Sequence, residues 1–152
     1  MLSRLCAALL LVIPCAFAGA QTAEDSSAIR AAALDYIDGY YTGDGARMER
    51  ALHPELAKRI VRSNEQGRSM LQQMSAMSLV LGTRAGGGKD TPVAERRDDV
   101  TIFDIYQNAA SAKIYASGWV DYLHLAKWNG RWVIINVLWE LHPAPPAPRR
   151  SP

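Results

Sequence analysis

The chain has 152 residues, 49% of them hydrophobic and 21% charged, and a net charge of +2. That length holds one ordinary domain and excludes two large ones. The composition excludes wholesale disorder and a multi-span membrane protein. The near balance of 17 basic against 15 acidic residues offers no support for a nucleic-acid partner.

Arg4 precedes an apolar run from Leu5 to Phe17, and Ala18-Gly19-Ala20 then supplies a small-x-small site before Gln21. This is the layout of a secretory leader, residues 1–20, cleaved after Ala20 to release a periplasmic or secreted protein. The apolar stretch falls short of the roughly 20 residues that span a bilayer, so no membrane span is expected after its removal. Both cysteines, Cys6 and Cys15, fall inside the leader. The mature chain would then hold no disulfide and would depend on its hydrophobic core. A lipidated Cys15 is the competing reading, and Pro14 immediately before it fits such a processing site poorly.

Residues 21–27 read as a linker. From Ala28 to Tyr41 the apolar positions Ile29, Ala33, Ile37 and Tyr40 mark one stripe of a helix, with Ser26 or Ser27 as its cap. Gly43-Asp44-Gly45 interrupts it, and Asp44 is placed to cap a short second helix carrying Met48 and Leu52, ended by His53-Pro54. Leu56, Ile60, Met70, Leu71, Met74 and Met77 continue an amphipathic pattern that reads as one or two more helices, divided near Asn64 to Gly67. The methionines are expected to fill the core. Gly82 to Asp99 is a polar connection containing Gly86-Gly87-Gly88, read as a flexible lid over a cavity mouth. It is not a phosphate-binding loop, because Thr83 stands where the first glycine is needed and Asp90 where a Ser or Thr should follow Lys89.

The period then changes to two. Val100 to Gln107 and Ala110 to Gly118 form a hairpin about Asn108. Trp119 to Trp128 and Arg131 to Leu141 form another about Asn129-Gly130, whose residues tolerate the positive φ of a two-residue turn. Such a turn pairs Trp128 with Arg131 and Leu125 with Ile134, and a regular ladder continues to Leu123 with Asn136 and Asp121 with Leu138. One face then carries Asp121, Leu123, Leu125, Trp132, Ile134, Asn136 and Leu138; the other carries Tyr122, His124, Val133, Ile135, Val137 and Trp139. Both faces are largely apolar, so both should be covered, one by the helices and one by a second copy in a homodimer formed through the sheet. The tail, residues 143–152, holds five prolines in ten residues and is expected to be extended and disordered.

Three blocks resemble a known family: Asp35-Tyr36-Ile37-Asp38-Gly39-Tyr40-Tyr41-Thr42-Gly43-Asp44; Ala51-Leu52-His53-Pro54-Glu55-Leu56-Ala57-Lys58-Arg59; and Asp121 to Lys127 with Gly130 to Asn136. They are similar to the putative lumazine-binding family of the nuclear transport factor 2-like superfamily, over approximately Ala28 to Leu141. The resemblance implies an α+β domain, residues 28–142, with a cone-shaped nuclear transport factor 2-like fold. In it, N-terminal helices pack on a curved antiparallel sheet around an apolar cavity. The superfamily includes ketosteroid isomerase, scytalone dehydratase and polyketide cyclases as well as binding and dimerisation modules, so fold alone does not decide function.

A cavity there would take its apolar walls from Leu123, Leu125, Trp132, Ile134 and Leu138. Tyr36, Tyr40, Asn136 and Asp121 would be its orienting groups. The first functional reading is an exported module that binds a small apolar or aromatic molecule, without cofactor. A second is a cofactor-independent isomerase, dehydratase or cyclase in which Asp121 is the general base, His53 a proton-transfer partner and Tyr40 an oxyanion donor. A third is a structural dimerisation module without ligand. Asp121 could equally be a carboxylate paired with Lys or Arg. His53, His124 and His142 lack metal-ligand spacing, so no metal is expected. Lys58, Arg59, Arg62 and Arg68 read as a solvated basic helix face.

Overall fold

The computed structural model describes residues 17–143, with side chains from residue 23 onward. The cysteines, most of the leader and the tail beyond Pro143 lie outside the described residues. Three helices, α1 (Phe17–Thr42), α2 (Gly45–Ala51) and α3 (Ala76–Arg84), accompany six strands. These are β1 (Leu52–Ser63), β2 (Ser69–Ser75), β3 (Asp99–Tyr106), β4 (Ala109–Tyr115), β5 (Trp119–Trp128) and β6 (Arg131–Leu141). They form one curved sheet in the order β2-β1-β6-β5-β4-β3. The sheet is mixed rather than wholly antiparallel, because β1 runs parallel to β6.

The first helix begins earlier than its apolar stripe suggested, so Ser26 and Ser27 lie inside it rather than at its cap. Its buried face is wide: Ile29, Ala32, Ala33, Tyr36, Ile37 and Tyr41 all sit in the core, with Tyr40 half-buried beside them. Gly43, at φ +72°, ends the helix in the left-handed conformation that glycine adopts without steric cost. Asp44 then caps α2 as expected, its Oδ1 accepting from Ala46 N and Arg47 N, both at 3.0 Å. Arg47 and Arg50 reach back to Asp35, and Arg47 also to Asp38, which clamps α2 against α1.

The segment read as further helices is instead a pair of strands followed by a short helix. Leu56 and Ile60 are four apart, a spacing that suits a helix and equally two periods of a strand. The residue between them resolves the choice: Lys58 points inward with Leu56 and Ile60, giving an alternating buried set. The break near Asn64 to Gly67 is the turn of this β1–β2 hairpin. Of the methionines, Met48 is core, Met74 is half-buried, and Met70 and Met77 are exposed.

The last hairpin has the expected turn, with Asn129 at φ +50° and Gly130 at φ +75°. Pairing starts as expected, Trp128 with Arg131 and Leu125 with Ile134. A bulge at Ile135 then shifts it, so that His124 pairs with Asn136, Leu123 with Val137 and Asp121 with Trp139. One extra residue exchanges the faces beyond it. Val137 and Trp139 turn toward the helices, while Asn136 and Leu138 turn to the outer face.

The polar connection after α3 is a hydrogen-bonded turn rather than a free strap: Gly86 N donates to Thr83 O, Gly87 N to Gly82 O and Lys89 N to Gly86 O. Gly88 packs directly on Tyr40, and a Cβ there would collide with the Tyr40 ring and meet its carbonyl oxygen at 2.5 Å. Gly118, by contrast, has open space around the same position. Gly88→Ala should therefore destabilise the protein by about 1–3 kcal/mol in urea unfolding, as overpacking does, whereas Gly118→Ala should change little. Equal effects at the two glycines would contradict this packing.

Candidate functional site

At the inner face of β1, β5 and β6, three residues from separate elements meet beneath α1. Lys58 comes from β1, Asp121 from β5 and Tyr36 from α1, and all three are buried. Lys58 Nζ donates to Asp121 Oδ1 at 2.6 Å and to the Tyr36 hydroxyl at 2.7 Å. The Tyr36 hydroxyl donates in turn to Asp121 Oδ2 at 3.2 Å, and Trp119 Nε1 donates to the same oxygen at 2.7 Å. The carboxylate is thus held by three donors, and the pair carries no net charge.

An ammonium has three protons. Two of those on Lys58 are taken by Asp121 and Tyr36, and among the described residues no other acceptor is bonded to it. Around it stand aromatic rings: Trp139 with its centroid at 4.9 Å, Tyr36 at 5.4 Å and Trp119 at 5.6 Å. Burial pushes the Lys58 amine below its ordinary value, against the raising effect of Asp121. Burial, together with the neighbouring Asp121 charge, pushes the Tyr36 phenol well above its own, so it remains protonated.

Beside this cluster lies a cavity of about 240 Å³ lined by Tyr36, Ile37, Tyr40, Met48, Lys58, Met74, Leu79, Trp119 and Trp139. Its walls are aromatic and apolar, with Lys58 as the charged group on its lining. Trp119 meets Tyr40 edge to face at 5.4 Å between centroids. The Tyr40 hydroxyl donates to Gly87 O at 3.0 Å, so the turn after α3 buttresses this wall. The Trp139 Nε1–H is buried and has no partner among the described residues.

The sequence-derived candidates are placed unevenly. Tyr36 and Tyr40 line the cavity, and Asp121 stands behind it in the ion pair with Lys58. Leu123, Leu125 and Ile134 are solid core. Trp132 is also buried, but it lines a separate hollow of about 290 Å³ under the N-terminal half of α1, where its Nε1 donates to Asp25 Oδ1 at 2.9 Å. Asn136 and Leu138 face away, turned out by the bulge; Asn136 accepts from Arg59 Nη1 at 2.9 Å and contacts His124 Nδ1 at 3.2 Å. The structure does not bring His53 to Asp121. His53 packs edge to face on Trp128, at the opposite end of β5, and its Nδ1 accepts from Glu55 N.

Lys58, Trp119 and Trp139 were not among the expected site residues. By sequence Lys58 belongs to a stretch that reads as a solvated basic helix face, and a regular ladder puts Trp139 on the far side of the sheet. The available signal was a lone lysine between Leu56 and Ile60, which is anomalous on the buried side of a strand. Among the described residues, no three His, Cys, Asp or Glu side chains come together as a metal site.

A buried carboxylate that loses its cation is costly, of order 3–5 kcal/mol. Lys58→Met should therefore lower stability at pH 7 by about that amount, while Arg62→Met, on the same strand but exposed, should stay within about 0.5 kcal/mol. Chemical denaturation checks both, and a Lys58→Met variant as stable as the parent would mean the pair is solvated.

Residues 24–140 match the family described as Putative lumazine-binding. Among solved structures, the chain is similar to a nuclear transport factor 2-like protein of unknown function from Shewanella baltica, at 20% identity and TM-score 0.60, covering 80% of this chain and 97% of that one. It is similar to another from Silicibacter pomeroyi, at 18% identity and TM-score 0.59, covering 80% and 98%. A third, with a cystatin-like fold, comes from Novosphingobium aromaticivorans, at 11% identity and TM-score 0.60, covering 87% and 91%. Among curated proteins none matches the chain. These likenesses establish the cone-shaped nuclear transport factor 2-like fold, and by the match across most of its length the chain belongs to the putative lumazine-binding family.

Proposed function

We propose that this protein is an exported module that binds a small, planar, largely apolar or aromatic molecule in the cavity between α1 and the inner face of the sheet. The observation that carries this reading is an aromatic-walled cavity of about 240 Å³ whose charged lining residue, Lys58, retains one proton without an acceptor among the described residues. Apolar walls with a few polar points are the ordinary construction of a ligand site. The wall chemistry favours a flat ring, and the free donor favours a hydrogen-bond acceptor on its edge. Because Asp121 already neutralises Lys58, a neutral ligand is favoured over a carboxylate. The leader-like residues 1–20 support export to the periplasm or medium.

Native mass spectrometry of protein purified from its own compartment should show a small molecule travelling with it. Trp139→Ala should weaken its binding about tenfold, a loss of about 1.4 kcal/mol, read from quenching of Trp119. Protein that carries nothing, and whose tryptophan emission responds to no aromatic compound, would instead favour a structural module without ligand.

The same reading includes a homodimer through the sheet. The outer face presents Tyr122, Ile135 and Leu138, exposed by 47%, 40% and 51%, around the half-buried Asn136. Val137 and Trp139, which a regular ladder would place on this face, lie on the other; the patch that remains is three apolar side chains about Asn136, whose amide is already hydrogen-bonded to Arg59. Light scattering after size exclusion should give twice the chain mass. Tyr122→Glu with Leu138→Glu should reduce it to one chain without unfolding; a parent protein that is monomeric at high concentration would rule the dimer out.

A further inference from the structure

We infer that Lys58 captures carbonyl compounds: the ligand of this cavity is a small aromatic or conjugated aldehyde or ketone, held as an imine on Lys58 Nζ. The inference deepens the ligand-binding reading above and rests on it. Three features of the geometry support it. Lys58 is a buried amine on the wall of an aromatic cavity rather than at the surface. A carboxylate oxygen stands 2.6 Å from its nitrogen, close enough to take and return a proton. The Tyr36 hydroxyl bridges Nζ and the second carboxylate oxygen, giving the proton a second route.

A structural ion pair alone would be served at least as well by arginine, whose planar guanidinium meets a carboxylate with two bonds and does not give up its proton. Lysine is the basic residue that becomes a nucleophile when desolvated, and burial here acts in that direction.

The step balances within these groups. Lys58 passes one proton to Asp121, leaving a neutral amine and a carboxylic acid. The nitrogen lone pair attacks the carbonyl carbon while the C=O π pair moves to oxygen, and a proton passes from nitrogen to that oxygen through Tyr36 to give a carbinolamine. Asp121 then protonates the hydroxyl, water leaves, and the nitrogen lone pair closes the C=N bond. One water is released, and the resulting iminium cation lies beside an Asp121 carboxylate, so the charge balance of the resting pair is restored. No oxidant, reductant or metal is needed.

The chain contains its own controls, since Lys89, Lys113 and Lys127 are its other lysines. Lys89 is exposed, Lys113 is half-buried, and Lys127 is paired with Asp25 at 2.9 Å. The full-length protein is incubated with benzaldehyde at neutral pH, reduced with borohydride and mapped by peptide mass. The expected result is one benzyl group per chain on Lys58, in at least about tenfold excess over Lys89. Lys58→Arg should abolish the adduct. Tyr36→Phe, with its near-ultraviolet circular dichroism unchanged, should slow labelling about tenfold or more, as loss of a proton relay does.

Adducts spread over the surface lysines with none on Lys58 would overturn the inference. If benzaldehyde quenches the tryptophan emission but leaves no reducible adduct, carbonyl capture is wrong and the binding reading stands. If Lys58 is unlabelled, emission is unchanged and the purified protein carries no ligand, both are wrong.

Discussion

The ion pair between Lys58 and Asp121 organises this structure. Two charges taken out of water are stabilising only when they are close together and their remaining hydrogen-bond positions are met. Here Asp121 is fully buried and accepts from Lys58, Tyr36 and Trp119, so β1, β5 and α1 must all arrive at one point for the pair to be tolerated. The requirement fixes the height of the helix over the sheet and the register of the parallel β1–β6 pairing that carries Lys58 to Trp139. It also keeps the neighbouring space from closing: a polar group with fixed partners cannot rotate to fill a void as a leucine would.

The second constraint is the bulge at Ile135. Without it, β6 would present Asn136 and Leu138 to the helices and leave Trp139 on the outer surface. With it, the ladder near the turn keeps Trp132 and Ile134 as core, and beyond the bulge Trp139 becomes an aromatic wall beside Lys58. The same displaced residue moves Leu138 to the outer face next to Tyr122. One inserted residue therefore sets the character of both faces: a hydrogen-bonded group beside aromatic rings within, and an apolar patch without. Bulges re-aim side chains in this way because side-chain direction alternates residue by residue along a strand.

Much of the fold was legible from local signals that have one meaning. The Asn129-Gly130 turn, the Asp44 cap, the Gly43 break and the apolar stripe of α1 each follow from steric or hydrogen-bonding rules that tertiary context did not override. Two features were ambiguous. Leu56 and Ile60, four residues apart, satisfy both helix and strand, and the charged Lys58 between them hid the alternation that would have decided the matter. The bulge has no such mark, since Ile135 is an ordinary strand residue and its displacement depends on packing at both ends of the hairpin. The candidate site was read in part for the same reasons. Asp121, Tyr36 and Tyr40 were identifiable as polar residues in apolar contexts. Lys58 and Trp139 required knowledge of which way each strand faces.

The picture that results is a cone whose interior is mostly solid, with Leu123, Leu125 and Ile134 filling the part nearest the hairpin turn. The aromatic-walled hollow lies further along β5 and β6, where the strands carry Trp119, Asp121 and Trp139. This space is therefore smaller than a fully open cone would give, and a molecule inside it would lie against one amine. A crystal structure of the protein soaked with benzaldehyde tests this most directly. The account predicts density for the ring between Trp119, Trp139 and Tyr40 with its polar end at Lys58 Nζ. A chamber collapsed around Met74 and Trp139, with no density and Lys58 turned to solvent, would contradict it.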